Sequence, residues 1–178
     1  MNDISLHVLD IAENCINAGA KNIEIIIDED IKNDKLIIEI NDDGKGMDKD
    51  TIEKLSDPFF TSRKTRKVGL GIPFLNESAM IANGNLTINS EPGQGTKVKA
   101  VFQYSHIDRK PLGDMPETLI SLILLSGNSE IFYKHSKNGN VFEFNTVELK
   151  KSLNEESLKD VIILNKLKKV IQNKLSEL

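Results

Sequence analysis

The strongest constraint on the fold is an N-terminal helical stripe that runs straight into two β-branched segments. From Ile4 to Ala18, apolar residues recur at Ile4, Val8, Leu9, Ile11, Ala12, Cys15 and Ile16, the spacing of one helix face, and Asp3 is available as the N-cap. The other face is polar, and at about 100° per residue His7, Asp10, Asn14 and Asn17 share one narrow arc. Gly19 can end this helix in a left-handed turn. Asn22 to Asp28 and Lys35 to Asn41 follow as two strands rich in β-branched residues, joined by a polar turn, and an antiparallel pair is the simplest arrangement.

Further along, Asp42 to Asp48 reads as a glycine-rich loop, Thr51 to Leu55 as a short helix, and Ser56 to Val68 as a mobile loop without apolar period beyond Phe59 and Phe60. Helical spacing returns from Gly69 to Asn83, and strands are expected at Leu86 to Glu91 and Thr96 to Tyr104 around Pro92-Gly93-Gln94-Gly95. Beyond a polar connection, Pro116 to Ser126 is an apolar helix with proline in its first turn, and Glu130 to Ser136 and Val141 to Asn145 flank the hairpin signal Asn138-Gly139. Residues 147 to 178 are expected to finish as helix, with Lys166, Lys168, Lys169 and Lys174 toward the end where they suit the dipole. The pattern predicts an α+β protein: a domain over residues 1–105 and an α-β-β-α extension over 106–178 that extends the same sheet or builds a dimer contact.

The 178 residues suit one compact domain with a modest extension. With 39% hydrophobic and 28% charged residues the chain is globular, and a net charge of −4 argues against wholesale nucleic-acid binding. Cys15 is the single cysteine, which excludes an intrachain disulfide framework and a cysteine-clustered zinc site and suits a reducing cytoplasm. The strongest apolar stretch, Leu119 to Leu125, is too short to span a bilayer, and the polar N-terminus carries no export signal, so a cytoplasmic protein without membrane contact is expected.

The most specific chemical signal is Asp42-Asp43-Gly44-Lys45-Gly46-Met47 directly after a strand. Two glycines let backbone approach a ligand, and a carboxylate at the strand's end can accept from an exocyclic amine. Downstream, Val68-Gly69-Leu70-Gly71-Ile72 opens a helix and offers free backbone N–H groups to phosphate, while Gly93-Gln94-Gly95-Thr96 leads into a strand. Arg63, Lys64, Arg66 and Lys67 place four cations within five residues, a counter-charge for a triphosphate with its metal.

In this order the four elements resemble the nucleotide-binding domain of the GHKL superfamily of gyrases, chaperone ATPases, histidine kinases and MutL-type ATPases, over roughly residues 4 to 104. The resemblance implies a two-layer α/β sandwich of the Bergerat type, a mixed, mainly antiparallel sheet with helices on one face, and ATP with Mg²⁺ as its ligands. Asp10 through Ala20 is similar to the family's Asn box, with Asn14 implied as the Mg²⁺ ligand and Asn17 beside it. Asp42 is similar to the aspartate that accepts from the adenine amine, with Thr96 next to it, and Gly44, Gly46 and Met47 to the segment walling the purine. Asp57-Pro58-Phe59-Phe60-Thr61 through Gly71 is similar to the lid of short-lid histidine kinases, which brings in Arg63, Lys64, Val68, Gly69, Leu70 and Gly71.

Where hydrolases and serine kinases of this superfamily carry Glu and histidine kinases a neutral amide, this chain has Asp10. A carboxylate there can deprotonate a water or hydroxyl, although Asp reaches one methylene less far. Glu13 is the rival base but lies off the arc of His7, Asp10 and Asn14, which favours Asp10. With nine residues before Asp10, the helical hairpin that bears the phosphoacceptor histidine in ordinary histidine kinases is expected to be absent, so phosphotransfer would reach another protein or an atypical residue. His7 is expected to act as a hydrogen-bonding helix residue, His106 and His135 as structural or exposed, and Cys15 as buried and inert. The His106 to Asp114 run is similar to the tails of stand-alone ATP-binding proteins of anaerobic, hydrogen-metabolising bacteria, which implies a redox or hydrogenase-linked role. Three functions stay open: a stand-alone kinase or switch acting on a protein partner, an ATPase driving a conformational or dimerisation cycle, and a non-catalytic ATP sensor.

Overall fold

The computed structural model describes residues 3–56, 71–153 and 160–178. Of the expected lid, from Asp57 to Gly71, all but Gly71 lies outside them. Helix α1 (Ile4–Asn17) starts where the Asp3 carboxylate accepts from the Leu6 N–H at 3.2 Å, and Gly19 follows it at φ +79°. Strands β1 (Asn22–Asp30) and β2 (Lys35–Asp42) are longer than their sequence pattern. The polar turn between them tightens to a single 3₁₀ turn at Ile31–Asn33, capped by Asp30, with Asp34 left-handed at φ 54°. Helix α2 (Lys49–Ser56) begins early because Asp48 accepts from the Thr51 N–H at 2.8 Å.

Helix α3 (Gly71–Ile81) leads into β3 (Asn85–Glu91) and β4 (Gly95–Gln103), and then α4 (Met115–Leu125), capped by Asp114 with Pro116 in its first turn. Strands β5 (Glu130–Lys137) and β6 (Asn140–Asn145) meet at Asn138 and Gly139, both at positive φ, as the hairpin signal requires. The expected single terminal helix is broken: α5 (Thr146–Ser152) ends where Leu153 turns extended at φ −126°, and α6 (Val161–Ser176) restarts on the Asp160 cap. Apolar spacing continues across the break and so conceals it.

The strands form one six-stranded sheet in the order β3-β4-β2-β1-β5-β6. Every neighbouring pair is antiparallel except β1 with β5, where the crossover through α4 returns the chain parallel. Strict alternation puts Ile23, Ile25, Ile27, Leu36, Ile38, Ile40, Val98, Ala100 and Phe102 on the buried face, in one core with Val8, Ile11, Leu75 and Leu119 of the helices. The opposite face is polar, and there Glu39 pairs with Lys97 and Lys99, each at 2.8 Å. The start of β5 is tied to the turn after α1, because the Ser129 hydroxyl donates to the Ala20 carbonyl at 2.7 Å and the Glu130 N–H to that of Lys21 at 2.7 Å.

Candidate nucleotide-binding cavity

At the end of the sheet where α1 finishes, a cavity of about 490 Å³ opens between α1, the β2–α2 loop and the β3–β4 turn. Asn14, Asn17, Asp42, Gly46, Met47 and Thr96, all singled out by the sequence, line it together. Its walls are otherwise largely apolar, from Ile11, Ile72 and Val98, which suits a flat ring held by few polar contacts.

The two aspartates of the glycine loop have separate tasks. Asp43 accepts from the backbone N–H groups of Lys21 and Asn22 at 2.6 and 2.9 Å and from the Asn22 amide at 2.7 Å, and the Asn22 backbone bond leads in holding its carboxyl below the usual range. It is the clasp between loop and sheet. Asp42 takes one backbone bond, from the Gly44 N–H at 2.8 Å, and otherwise faces the cavity.

The glycines are demanded by close approach. A Cβ at Gly46 would lie 1.9 Å from the Glu91 carbonyl oxygen, and one at Gly95 would lie 1.9 Å from that of Asp42, both at positive φ. The two glycine motifs are thus pressed backbone to backbone. Gly44 does not line the cavity and packs behind it, where a Cβ would meet Ala18 at 3.3 Å.

On α1, the Asn14 amide donates to the Asp10 carbonyl at 2.7 Å. Only the amide nitrogen can make that bond, so the oxygen is the end left for the cavity, which is the atom a hard divalent cation takes. Asp10 lies one turn earlier and does not line the cavity, yet its Oδ2 is buried without a hydrogen-bond partner among the described residues. The first residue of α3 closes over it, since a Cβ on Gly71 would fall 2.4 Å from that oxygen. Among the described residues no group of three or more His, Cys, Asp or Glu side chains can hold a metal. Arg63, Lys64, Val68, Gly69 and Leu70 lie outside the described residues.

Three further residues acquire clear positions. Cys15 lines the cavity at 6% exposure, and burial, then the adjacent Asp42 carboxylate, push its thiol pKa well up, so it stays protonated. His7 is fully buried with neither ring nitrogen hydrogen-bonded among the described residues, contrary to its expected role, and burial followed by the charge of Lys110 lowers its pKa to about 4. Ser90 sits behind the lining and binds both glycine motifs at once: it accepts from the Met47 N–H at 2.8 Å and donates to the Gly95 carbonyl at 2.7 Å. A serine in a strand carries no sequence signal for this; only the β3–β4 register could have suggested it.

The chain belongs to the histidine kinase-, DNA gyrase B- and HSP90-like ATPase family, which matches residues 2–106. It is 31% identical over 103 residues to a putative sensor protein of Shewanella frigidimarina, covering 57% of this chain and 16% of that protein. It is 36% identical over 89 residues to the sensor protein kinase FleS of Pseudomonas aeruginosa, covering 50% of this chain and 22% of that one. The chain thus spans about a quarter or less of these curated relatives. In fold it is similar to the crystal structure of the N-terminal domain of a DNA repair protein, with a TM-score of 0.52 at 16% identity, covering 80% of this chain and 52% of that one. It is an ATPase-family domain related to sensor kinases, carried on a mixed six-stranded sheet.

Proposed function

We propose that this protein binds Mg-ATP in the cavity described above and acts as a histidine-kinase-like phosphotransferase, a signalling kinase or switch working on a protein partner in the cytoplasm. The observation that carries the reading is the meeting of Asp42 and Asn14 on one cavity, with the Asn14 amide nitrogen held so that its oxygen is the free end. Asp42 would accept from the base's exocyclic amine, Gly46 and Met47 would flank the ring, and Asn14 would ligate Mg²⁺. Bound Mg²⁺ supplies charge neutralisation across the phosphates. Asp10, whose buried oxygen has no partner among the described residues, would orient or deprotonate the attacking hydroxyl or water. Arg63 and Lys64, with the backbone of Val68-Gly69-Leu70-Gly71, would supply counter-charge and N–H donors to the phosphate chain.

That same Asp10 oxygen favours a second reading, an ATPase whose hydrolysis drives a conformational or dimerisation cycle, because a carboxylate can take a proton from water and an amide cannot. Incubation with γ-labelled Mg-ATP separates these. Acid-labile, alkali-stable label on protein supports histidine transfer, and acid-stable, alkali-labile label supports serine transfer. Free phosphate, lost in Asp10→Asn, supports hydrolysis, and tight binding without either leaves an ATP sensor, for instance of redox or hydrogenase metabolism. No ATP binding by the folded protein would overturn the proposal.

A further inference from the structure

We propose that Ser90 determines which bases the cavity accepts, by fixing the Thr96 hydroxyl as a pure hydrogen-bond acceptor beside Asp42; the inference rests on the nucleotide reading of this cavity. Ser90, Thr96 and Asp42 form a row across three strands, since Ser90 faces Thr96 in the β3–β4 register and Thr96 faces Asp42 in the β2–β4 register. Thr96 and Asp42 line the cavity, while Ser90 stands one strand further back.

Proton counting fixes the polarity of this row. The Ser90 oxygen lies 2.7 Å from the Gly95 carbonyl oxygen, and two oxygens that close need a proton between them, which only Ser90 can give. Its single proton is then committed. The Ser90 and Thr96 hydroxyl oxygens are 2.9 Å apart, and that contact must use the Thr96 proton. The Met47 N–H, at 2.8 Å, occupies the remaining lone pair of Ser90 and completes its capacity of one donated and two accepted bonds.

Thr96 therefore turns only lone pairs toward the cavity, next to a carboxylate that also only accepts. A base edge that presents an amine to this pair gains hydrogen bonds. One that presents a carbonyl oxygen there sets oxygen against oxygen and leaves the groups unpaired. The chemical difference selected is a 6-amino against a 6-oxo purine. Ser90 touches no ligand and acts through Thr96, so it is a positioning residue.

The test compares Mg-ATP with Mg-ITP, which differ at that edge, by calorimetry on the full chain. The wild type is expected to prefer ATP by about tenfold or more. In Ser90→Ala the Thr96 proton is released and can turn toward a carbonyl, so the preference narrows by about tenfold, mostly through tighter ITP binding. Ser90→Thr keeps the hydroxyl and should keep the ratio within about twofold. Thr96→Val gives a second route should Ser90→Ala not fold: it should weaken ATP and leave ITP unchanged. Equal losses for both nucleotides in Ser90→Ala, as a merely structural role requires, would overturn the inference, as would equal binding of both by the wild type. Absence of any nucleotide binding by the wild type would instead remove the parent reading and this one with it.

Discussion

Two polar constellations of half-buried and buried side chains stand beside this sheet, and they teach different lessons from similar residues. One is Asp10, Asn14 and Asp42, beside the cavity of about 490 Å³. The other is Glu29, Tyr104, Tyr133 and His135, where Glu29 and His135 border a second cavity of about 500 Å³ against α4 and α6. Cavity size does not tell them apart. Hydrogen-bond satisfaction does. In the second group Glu29 accepts from His135 Nε2 at 2.9 Å and from the Tyr104 hydroxyl at 3.0 Å, while His135 Nδ1 meets the Tyr133 hydroxyl at 3.0 Å. The charge of Glu29 is supported throughout, and the His135 bond leads in holding its carboxyl below the ordinary range. In the first group an Asp10 oxygen is buried without a partner among the described residues. A saturated network holds structure together; an unsaturated one is arranged for something else.

Breaking the saturated network gives the largest expected effect. His135 is 4% exposed, and His135→Ala opens a cavity, takes from Glu29 one of its two hydrogen bonds and leaves the Tyr133 hydroxyl without its His135 partner. A loss of about 3 to 4 kcal/mol in urea unfolding is expected, with nucleotide affinity unchanged within about twofold. A large affinity loss in a well-folded His135→Ala protein would mean the two constellations are coupled.

Next comes pH. His7 belongs to α1 with Asp10 and Asn14 but takes no hydrogen bond among the described residues, and its folded pKa is about 4 against an ordinary 6.5. The unfolded chain binds the proton that the folded one refuses, so this contribution to stability is complete above about pH 6.5 and falls as pH drops toward 4, by roughly 3 kcal/mol in all. Glu29 acts lower on the scale: its contribution is present above the ordinary 4.5 and is lost as pH falls through its depressed folded value. Urea midpoints between pH 7.5 and 5 should flatten in His7→Leu. An unchanged slope in that variant would show that His7 is not the group titrating.

Asp42→Asn addresses the unsaturated side directly. Replacing an acceptor-only carboxylate by an amide is expected to weaken Mg-ATP binding on the order of 100-fold, about 2.7 kcal/mol, with a small change in stability. Calorimetry of the nucleotide and a denaturant curve together check it. Retained affinity would take Asp42 out of base recognition.

What the sequence discloses follows the reach of its patterns. The period of α1 showed the arc of His7, Asp10 and Asn14, and β-branched alternation showed β1 and β2, because both are local rules. The Asp42–Met47 motif was legible because its glycines answer to close backbone approach. Asp42 was singled out by resemblance, but the clasp of Asp43 on Lys21 and Asn22 depends on loop geometry and left no mark in the sequence. Cys15 was assigned correctly to the buried stripe, but a stripe shows which face is covered and not that Asp42 lies beside it. The Glu29–His135 pair spans 106 positions and exists only because β5 adds parallel to β1, a pairing no local pattern contains. Ser90 is hidden for the same reason, through register.

The smallest expected effect lies on the polar face of the sheet, away from both constellations. Glu39 bridges Lys97 and Lys99, whose side chains are 48% and 39% exposed, and the lysine hydrogen bonds hold its carboxyl below the usual range. Water and salt screen such pairs, and long side chains lose freedom in forming them, so the attraction is largely offset. Glu39→Gln should therefore change unfolding free energy by no more than about 1 kcal/mol, and by less at 1 M salt. Urea curves at low and high salt check this. A loss comparable with His135→Ala would mean that charge pairing on an open β-face organises this sheet as firmly as the buried network does, and hydrogen-bond saturation would no longer separate the two regions.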